Sequence, residues 1–373
     1  MITRMLSLLA MGFLVSGCSV SESGSASVAD AVEAPASERS ADKAGPDKKA
    51  RDGDGGEIAT TAKGDTPPLY VFYVIHGHQQ GEHLPYSDTN MSRLDKGKAE
   101  NFATAIKRIS DTTSAYGMPI SWELVAGTAK GIRELQGEDN IFKRLMAQGH
   151  EIGIHTHDAS RIRSTVEAVN QSLGILVTTG SGLQMEAINS GASGAQKAMS
   201  KGIAEMVDLG LTTASIGLVD SGRSPISEVC NNSFGEGNDM VGTTGHILFP
   251  YKPDYKNDNV CRHNPDSDFV FVNTPGPKWL VSGARKGMLS DQNFDYLRKS
   301  LDASLEYMDE RKPERVAVWG FTTHISEYCQ GSQGGPVLDS SIKALDDWMK
   351  YLSDLEKQGK VEFITVGEIS KKI

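Results

Sequence analysis

Two histidine pairs share one spacing and one position relative to apolar segments: His76 with His78, and His155 with His157. Each pair follows a short apolar run that predicts a buried β-strand. Because side chains alternate along a strand with a period of two residues, both rings of a pair point to the same side while the strand continues. Imidazole nitrogen is a good ligand for Zn, Fe, Cu or Ni. The pairs therefore predict a site for a divalent transition metal, with Zn as the expected ion.

Other interpretations of these histidines remain open. The same side chains would suit a substrate-binding site, or a site that keeps its ligands and has lost its chemistry. Glu82 and His83 lie in the segment after the first pair and are alternative ligands. A fifth histidine, His324, follows the end of another predicted strand.

The elements around the histidines alternate between strand and helix. Apolar runs predict strands over residues 69–75, 121–125, 151–154, 212–216, 269–272, 315–321 and 361–366. Helical periodicity predicts helices over residues 95–115, 140–148, 165–176, 197–209, 291–309 and 338–357. Such alternation predicts an α/β fold with a parallel sheet or barrel. Reactive residues of such folds gather beyond the carboxyl ends of the strands, so the histidine pairs should meet there.

One segment carries a family resemblance. Residues 149–157 read Gly-His-Glu-Ile-Gly-Ile-His-Thr-His and resemble the second motif of the polysaccharide deacetylases. Other motifs of that family have similar segments here, in the same order, at residues 189–192, 209–215, 249–254 and 323–324. The resemblance extends over about residues 69–330. It implies a distorted (β/α)7-type barrel, of the glycoside hydrolase/deacetylase kind, that hydrolyses N- or O-acetyl groups of glycans with a bound metal.

The chain also departs from the family pattern. The family holds its metal with one aspartate and two histidines, which implies that His155 and His157 are metal ligands. His76 and His78 replace the aspartates expected after the first strand, and Asn189 replaces an arginine, so the usual catalytic base is missing. A set of His78, His155 and His157 would leave a fourth position open, as in three-histidine catalytic zinc sites. Such sites activate water at about pH 7 without a strong separate base.

The remaining polar groups near the strand ends are candidates for proton transfer. His76 or Asp158 would accept or relay a proton, and His324 would protonate the leaving amine or alkoxide. The alternative for Asp158 is to cap the helix that follows it, and the alternative for His324 is a structural hydrogen bond. Glu327 is a candidate partner for a ligating histidine.

A glycan ligand requires aromatic and polar groups at the rim of the site. Tyr251, Trp279 and Tyr328 are candidates for stacking on pyranose faces, with packing as the alternative role of each. Asn189 is a further candidate for substrate binding.

The N-terminus predicts export and lipidation. Arg4 precedes an apolar segment, residues 6–15, that is too short to span a membrane. Residues 14–18 resemble the lipobox of bacterial lipoproteins, in which the cysteine is acylated. We therefore expect a signal peptide over residues 1–17 and a lipid anchor on Cys18, with an ordinary secretory signal as the alternative.

The segment behind this cysteine predicts a tether. Residues 18–66 contain almost no large apolar side chain, so they cannot bury enough surface to offset their ordering entropy. An aspartate after the cysteine would resemble the inner-membrane retention signal, and Ser19 in that position favours the outer membrane, facing the periplasm or the exterior. We expect residues 67–373 to form one barrel domain.

Three cysteines remain once Cys18 is lipidated, in a compartment that favours disulfides. Cys230 and Cys261 are the first choice for a disulfide, because the bond would close a Gly- and Asn-rich excursion. Cys329 would then be a free thiol. Spacing alone does not fix the pairing.

The charge balance and the motifs narrow the function. The chain has 38 Lys and Arg against 48 Asp and Glu, a net charge of −10, which argues against a nucleic-acid partner. The first hypothesis is a lipid-anchored, metal-dependent hydrolase that removes acetyl groups from an envelope or extracellular polysaccharide. The alternatives are a non-catalytic glycan-binding lipoprotein and a glycoside hydrolase or lyase. Glycoside hydrolysis needs two carboxylates about 5–10 Å apart, whereas the strand ends here offer histidines.

Overall fold

The computed structural model describes five stretches of the chain: residues 67–78, 93–216, 248–274, 291–331 and 334–373. Several predicted features lie outside these stretches, namely the signal peptide, Cys18, the tether, Glu82, His83, Cys230 and Trp279. No described helix is long and apolar enough to cross a membrane.

Strands and helices alternate along the described chain. The strands are β1 (Leu69–Gly77), β2 (Ile120–Leu124), β3 (Glu151–His155), β4 (Thr179–Ser181), β5 (Thr213–Ile216), β6 (Pro253–Asp254), β7 (Asn259–His263), β8 (Val270–Asn273), β9 (Val318–His324) and β10 (Val361–Phe363). The helices are α1 (Lys96–Ser114), α2 (Ala126–Gln136), α3 (Ile141–Ala147), α4 (Ile162–Leu173), α5 (Leu183–Asp208), α6 (Asp291–Arg311), α7 (Asp339–Lys357) and α8 (Val366–Ile369).

Eight of the strands form one parallel sheet that curves into a nearly closed barrel. The order of neighbours is β10, β1, β2, β3, β4, β5 and β8, and β9 also pairs with β1. β1 accommodates three neighbours because β10 pairs with Leu69–Val71, β2 pairs with Tyr73–Gly77, and β9 pairs along Tyr70–His76. No ladder joins β8 to β9 within the described stretches. The predicted α/β fold with a distorted barrel is confirmed.

Alternation along β1 separates two buried regions. Tyr73 and Ile75 belong to the main core between the barrel and its helices. Phe72 and Val74 pack in a smaller cluster with side chains of β8, β9 and α8, on the inner side of the strands. His76 continues the series of Phe72 and Val74, so its ring enters the barrel interior at the carboxyl end of β1.

The structure corrects several predicted element boundaries. α5 begins at Leu183, not at residue 197, so Asn189 lies inside a helix instead of in a motif that precedes one. The β9 strand ends at His324, three residues later than predicted. The sequence pattern predicts neither β4, which has only three residues, nor α2, which buries mainly Ala, Gly and Thr.

The described cysteines are both buried. Cys329 is a free thiol that lies 3.6 Å from the backbone carbonyl of Ile325. Cys261 lies in β7 and is 1% exposed. Because Cys230 is outside the described stretches, the pairing of Cys230 with Cys261 stays a prediction.

Candidate metal site

Neighbouring strands end side by side at the carboxyl end of the barrel and carry the site. His76 of β1 is in register with His324 of β9 on one edge and with Glu123 of β2 on the other. His155, the last residue of β3, is in register with Ser181 of β4. Strand pairing thus brings side chains from five strands together at the carboxyl end of the barrel.

The two histidine pairs meet at this end of the barrel. One side-chain nitrogen from each of His76, His78 and His155 lies within 4.8 Å of the other two. The ring centroids of His76 and His155 are 3.8 Å apart, and those of His78 and His155 are 4.9 Å apart. His324 contacts His78 at a centroid distance of 4.5 Å, and His157 contacts His155 at 4.6 Å. The convergence predicted from the strand topology is therefore present.

The environment of His155 fits a metal ligand. Its Nδ1 is hydrogen-bonded to Ser181 Oγ at 2.6 Å, whereas its Nε2 is buried and has no hydrogen-bond partner among the described residues. Burial lowers the pKa of this imidazole well below its usual value, and the neighbouring His76 lowers it further. A buried polar atom without a partner costs free energy. A neutral imidazole nitrogen in this setting suits a divalent transition metal.

The close group of nitrogens differs in one member from the predicted ligand set. The sequence predicts His78, His155 and His157, whereas the structure groups His76, His78 and His155. His157 is half-buried, and its ring centroid is 6.2 Å from that of His78. The reason is that β3 ends at His155. Alternation therefore does not carry over to His157, whereas His76 still lies within β1.

A buried carboxylate holds His324. The Nδ1 atom of His324 lies 3.3 Å from Glu327 Oε1, and its backbone N–H donates to Glu327 Oε2 at 3.0 Å. The 3-10 helix Ile325–Tyr328 turns Glu327 back toward the end of β9. Burial raises the pKa of Glu327 well above its usual value. Glu327, a candidate partner from the sequence, is thus paired with a histidine of the cluster.

Sequence reasoning missed Glu123. This residue is 0% exposed, its Oε1 accepts a hydrogen bond from Ser215 Oγ at 2.7 Å, and its Oε2 lies 3.2 Å from His76 Nε2. A signal was present: Glu123 is the only charged residue of a strand that is buried at every position. Charged side chains are almost never fully buried unless paired.

Asp158 caps a 3-10 helix, which is the alternative to its predicted role as a base. Its Oδ1 accepts hydrogen bonds from the backbone N–H and the hydroxyl of Ser160 at 2.8 and 2.6 Å. Its Oδ2 accepts one from Arg161 Nε at 3.3 Å. These contacts start the 3-10 helix Ala159–Arg161 ahead of α4. The carboxylate is therefore engaged in the local turn.

The predicted sugar-stacking residues also need correction. Tyr251 is 2% exposed, and its hydroxyl donates to the backbone carbonyl of Val260 at 2.9 Å. Tyr328 is 0% exposed, and its hydroxyl is hydrogen-bonded to that of another buried tyrosine. Neither ring can stack on a ligand from this position. Asn189 lies in α5 and Trp279 lies outside the described stretches, so their roles stay predictions.

Comparison with known proteins finds structural likeness at low sequence identity. No protein-family model and no curated protein matches the chain. A structure from Mycobacterium smegmatis, described as a polysaccharide deacetylase, matches with a TM-score of 0.48 and 12% identity over 84% of this chain and 93% of that one. Puue allantoinase matches with a TM-score of 0.46 and 11% identity over 82% and 89%. A protein of Parabacteroides distasonis described as a glycoside hydrolase/deacetylase matches with a TM-score of 0.49 and 9% identity over 82% and 71%. These values alone assign neither a family nor an activity.

Proposed function

We propose that this protein is a metal-dependent hydrolase that removes acetyl groups from an envelope or extracellular polysaccharide. The observation that carries the proposal is the group of three histidine nitrogens within 4.8 Å of one another. The buried Nε2 of His155, which has no described partner, supports it. The substrate class rests on the resemblance of residues 149–157 to a deacetylase motif.

The residues of the cluster divide into ligands and proton carriers. His76, His78 and His155 would hold a divalent transition metal, with Zn as the expected ion. Such an ion supplies Lewis-acid activation of water and of the acetyl carbonyl near neutral pH. His324 would protonate the leaving amine or alkoxide, with its ring oriented by the contact of its Nδ1 with Glu327. His157, half-buried beside His155, would exchange protons with solvent.

The buried carboxylates argue against glycoside hydrolysis. Glu123 and Glu327 are each 0% exposed, and each contacts a histidine of the cluster. The two carboxylates of a glycosidase must flank the sugar bond, and these two are covered by protein. The geometry therefore favours hydrolysis of an acetyl group over attack on a glycosidic bond.

We further propose that the barrel acts outside the cytoplasm as an outer-membrane lipoprotein anchored through Cys18. The lipobox-like residues 14–18 and the polar composition of residues 18–66 support this. A flexible tether of that length would have an end-to-end distance of about 40 Å. Such a reach suits an enzyme that works along a polymer near a membrane.

Acetate release and metal content test the proposed activity. The wild-type protein should hold about one transition metal ion per chain and release acetate from at least one member of a panel of acetylated glycans. His155→Ala should lose both properties and keep its fold by circular dichroism. The matched control is His263→Ala, at an exposed position of β7, which should change neither property.

Two results would contradict this function. Unchanged metal content in His155→Ala would show that the ion is bound elsewhere. A wild-type protein that binds glycans, holds no metal and releases no acetate would favour the non-catalytic glycan-binding alternative.

A further inference from the structure

Glu123 is a charged side chain enclosed by the barrel. It lies in the interior of β2, is 0% exposed, and has a buried residue on either side along the strand. Removing a carboxylate from water costs free energy unless it is well paired, and an apolar side chain of similar volume often stabilises a protein more. Filling space in the barrel therefore does not explain a carboxylate at this position.

Two contacts hold the carboxylate across the barrel interior. Its Oε1 accepts a hydrogen bond from Ser215 Oγ of β5 at 2.7 Å. Its Oε2 lies 3.2 Å from His76 Nε2. The angle of this contact is not that of a hydrogen bond, and no other described donor bonds to Oε2. Hydrogen bonds of functional sites are often loosely aligned before the ligand is bound. His76 is therefore the partner toward which Oε2 is directed.

The two ring nitrogens of His155 also differ in their hydrogen bonding. Its Nδ1 is occupied by Ser181 Oγ at 2.6 Å, and its Nε2 is the buried atom without a described partner. In His76 the Nε2 atom contacts Glu123, so Nδ1 is the nitrogen that this contact does not use. Two members of the group thus each have a polar partner at one ring nitrogen.

We propose that Glu123 is a positioning residue of the metal site, which keeps a proton on His76 Nε2 and so directs Nδ1 toward the cation. This inference rests on the metal site proposed above. A carboxylate hydrogen-bonded to the nitrogen of a ligating histidine that does not bind the metal fixes the tautomer and the orientation of the ring. Ser215 in turn orients the carboxylate, so β5 helps to place a ligand that belongs to β1.

Zinc affinity, measured by competition with a chelating dye, tests the role of Glu123. Glu123→Gln should bind zinc 10- to 100-fold more weakly than wild type, which is about the loss typical for such partners. Ser215→Ala is the matched control, because it removes the other hydrogen bond of the same carboxylate and leaves the contact with His76. Its loss of affinity should be clearly smaller.

The outcomes separate the two proposals. Unchanged zinc affinity in Glu123→Gln would overturn the role of Glu123 and leave the metal site intact. A wild-type protein that binds no zinc would overturn both. Equal losses in Glu123→Gln and Ser215→Ala would overturn the specific pairing of Glu123 with His76.

The tautomer of His76 gives a second test that needs neither metal nor a folded Glu123 variant. A long-range proton–nitrogen correlation spectrum of the metal-free wild-type protein, labelled at its nine histidines, reports which nitrogen carries the proton. The His76 signal is identified by its absence in His76→Asn. We expect the proton on Nε2, and a proton on Nδ1 would overturn the proposal.

Discussion

Glu151 fastens the C-terminal helix to the amino end of the barrel, and its titration should change the stability of the protein. Its carboxylate accepts the backbone N–H of Gly367 at 3.0 Å and the hydroxyl of Ser121 at 2.8 Å. Burial nevertheless raises its pKa from 4.5 to about 7. The folded protein therefore retains this proton at pH values where the unfolded chain has released it.

The sign and size of the effect follow from these two pKa values. The contribution of Glu151 to stability is complete below about pH 4.5 and decreases as the pH rises to about 7. The free energy of unfolding falls by about 1.4 kcal/mol per pH unit over that range, or about 3 kcal/mol in total. Glu151→Gln has no proton to release. The free energy of unfolding of the variant, minus that of wild type, should therefore rise by about 3 kcal/mol between about pH 4.5 and 8.

Denaturant unfolding followed by tryptophan fluorescence, repeated at several pH values, measures this difference. Burial lowers the pKa of His150 from 6.5 to about 4, so His150 makes both proteins more stable as the pH rises through that range. Subtracting the free energy of unfolding of wild type from that of the variant removes this shared effect. Glu100→Gln, exposed on α1, is the control and should show a constant difference. A constant difference for Glu151→Gln as well would refute the reasoning.

Three further predictions concern the anchor, the disulfide and Asp158. Cys18→Ala should move the protein from the membrane to the soluble envelope fraction without unfolding it, and a variant that stays in the membrane would contradict the anchor. Peptide mapping without reduction should find Cys230 linked to Cys261, a bond worth roughly 3–4 kcal/mol for a loop of about 30 residues; a link to Cys329 would show another pairing. Asp158→Ala should cost about 1 kcal/mol of stability as a lost cap and leave acetate release within a few-fold of wild type, whereas loss of a general base would slow it about 100-fold or more.

The barrel and the meeting of the histidines could be predicted because both depend on local patterns. Apolar runs of strand length alternate with helical periodicity, and parallel strands must end at the same edge. This argument places His76 and His155 together without any knowledge of their contacts. It fails for His157 because β3 ends at His155, and strand ends are not marked in the sequence to within two residues.

The features that the sequence did not predict depend on contacts between residues distant in the chain, or lie in segments whose residues have a low propensity for the structure they form. Glu123 is paired with Ser215, 92 residues later, and nothing in the sequence links them. Tyr328 follows a strand end, as a rim residue would, but a single turn of 3-10 helix directs it into the core. The first half of α5 escaped prediction because residues 190–194 are Ser, Gly and Ala, and Gly and Ser are weak helix formers.

The neighbours of β1 also determine when the site can form. β9 and β10, which flank this first strand, come about 250 and 290 residues later in the chain. Pairing between strands so distant in sequence is slow, because the chain loses the entropy of closing a long loop before the stabilising contacts form. A chain made from its N-terminus contains β1, its neighbour β2 and the histidines of β1 and β3 long before β9 and β10 are made. His324 is therefore the last histidine of the cluster to be made, and a cation bound to the finished site would stabilise the closed barrel over forms in which β9 is not yet paired.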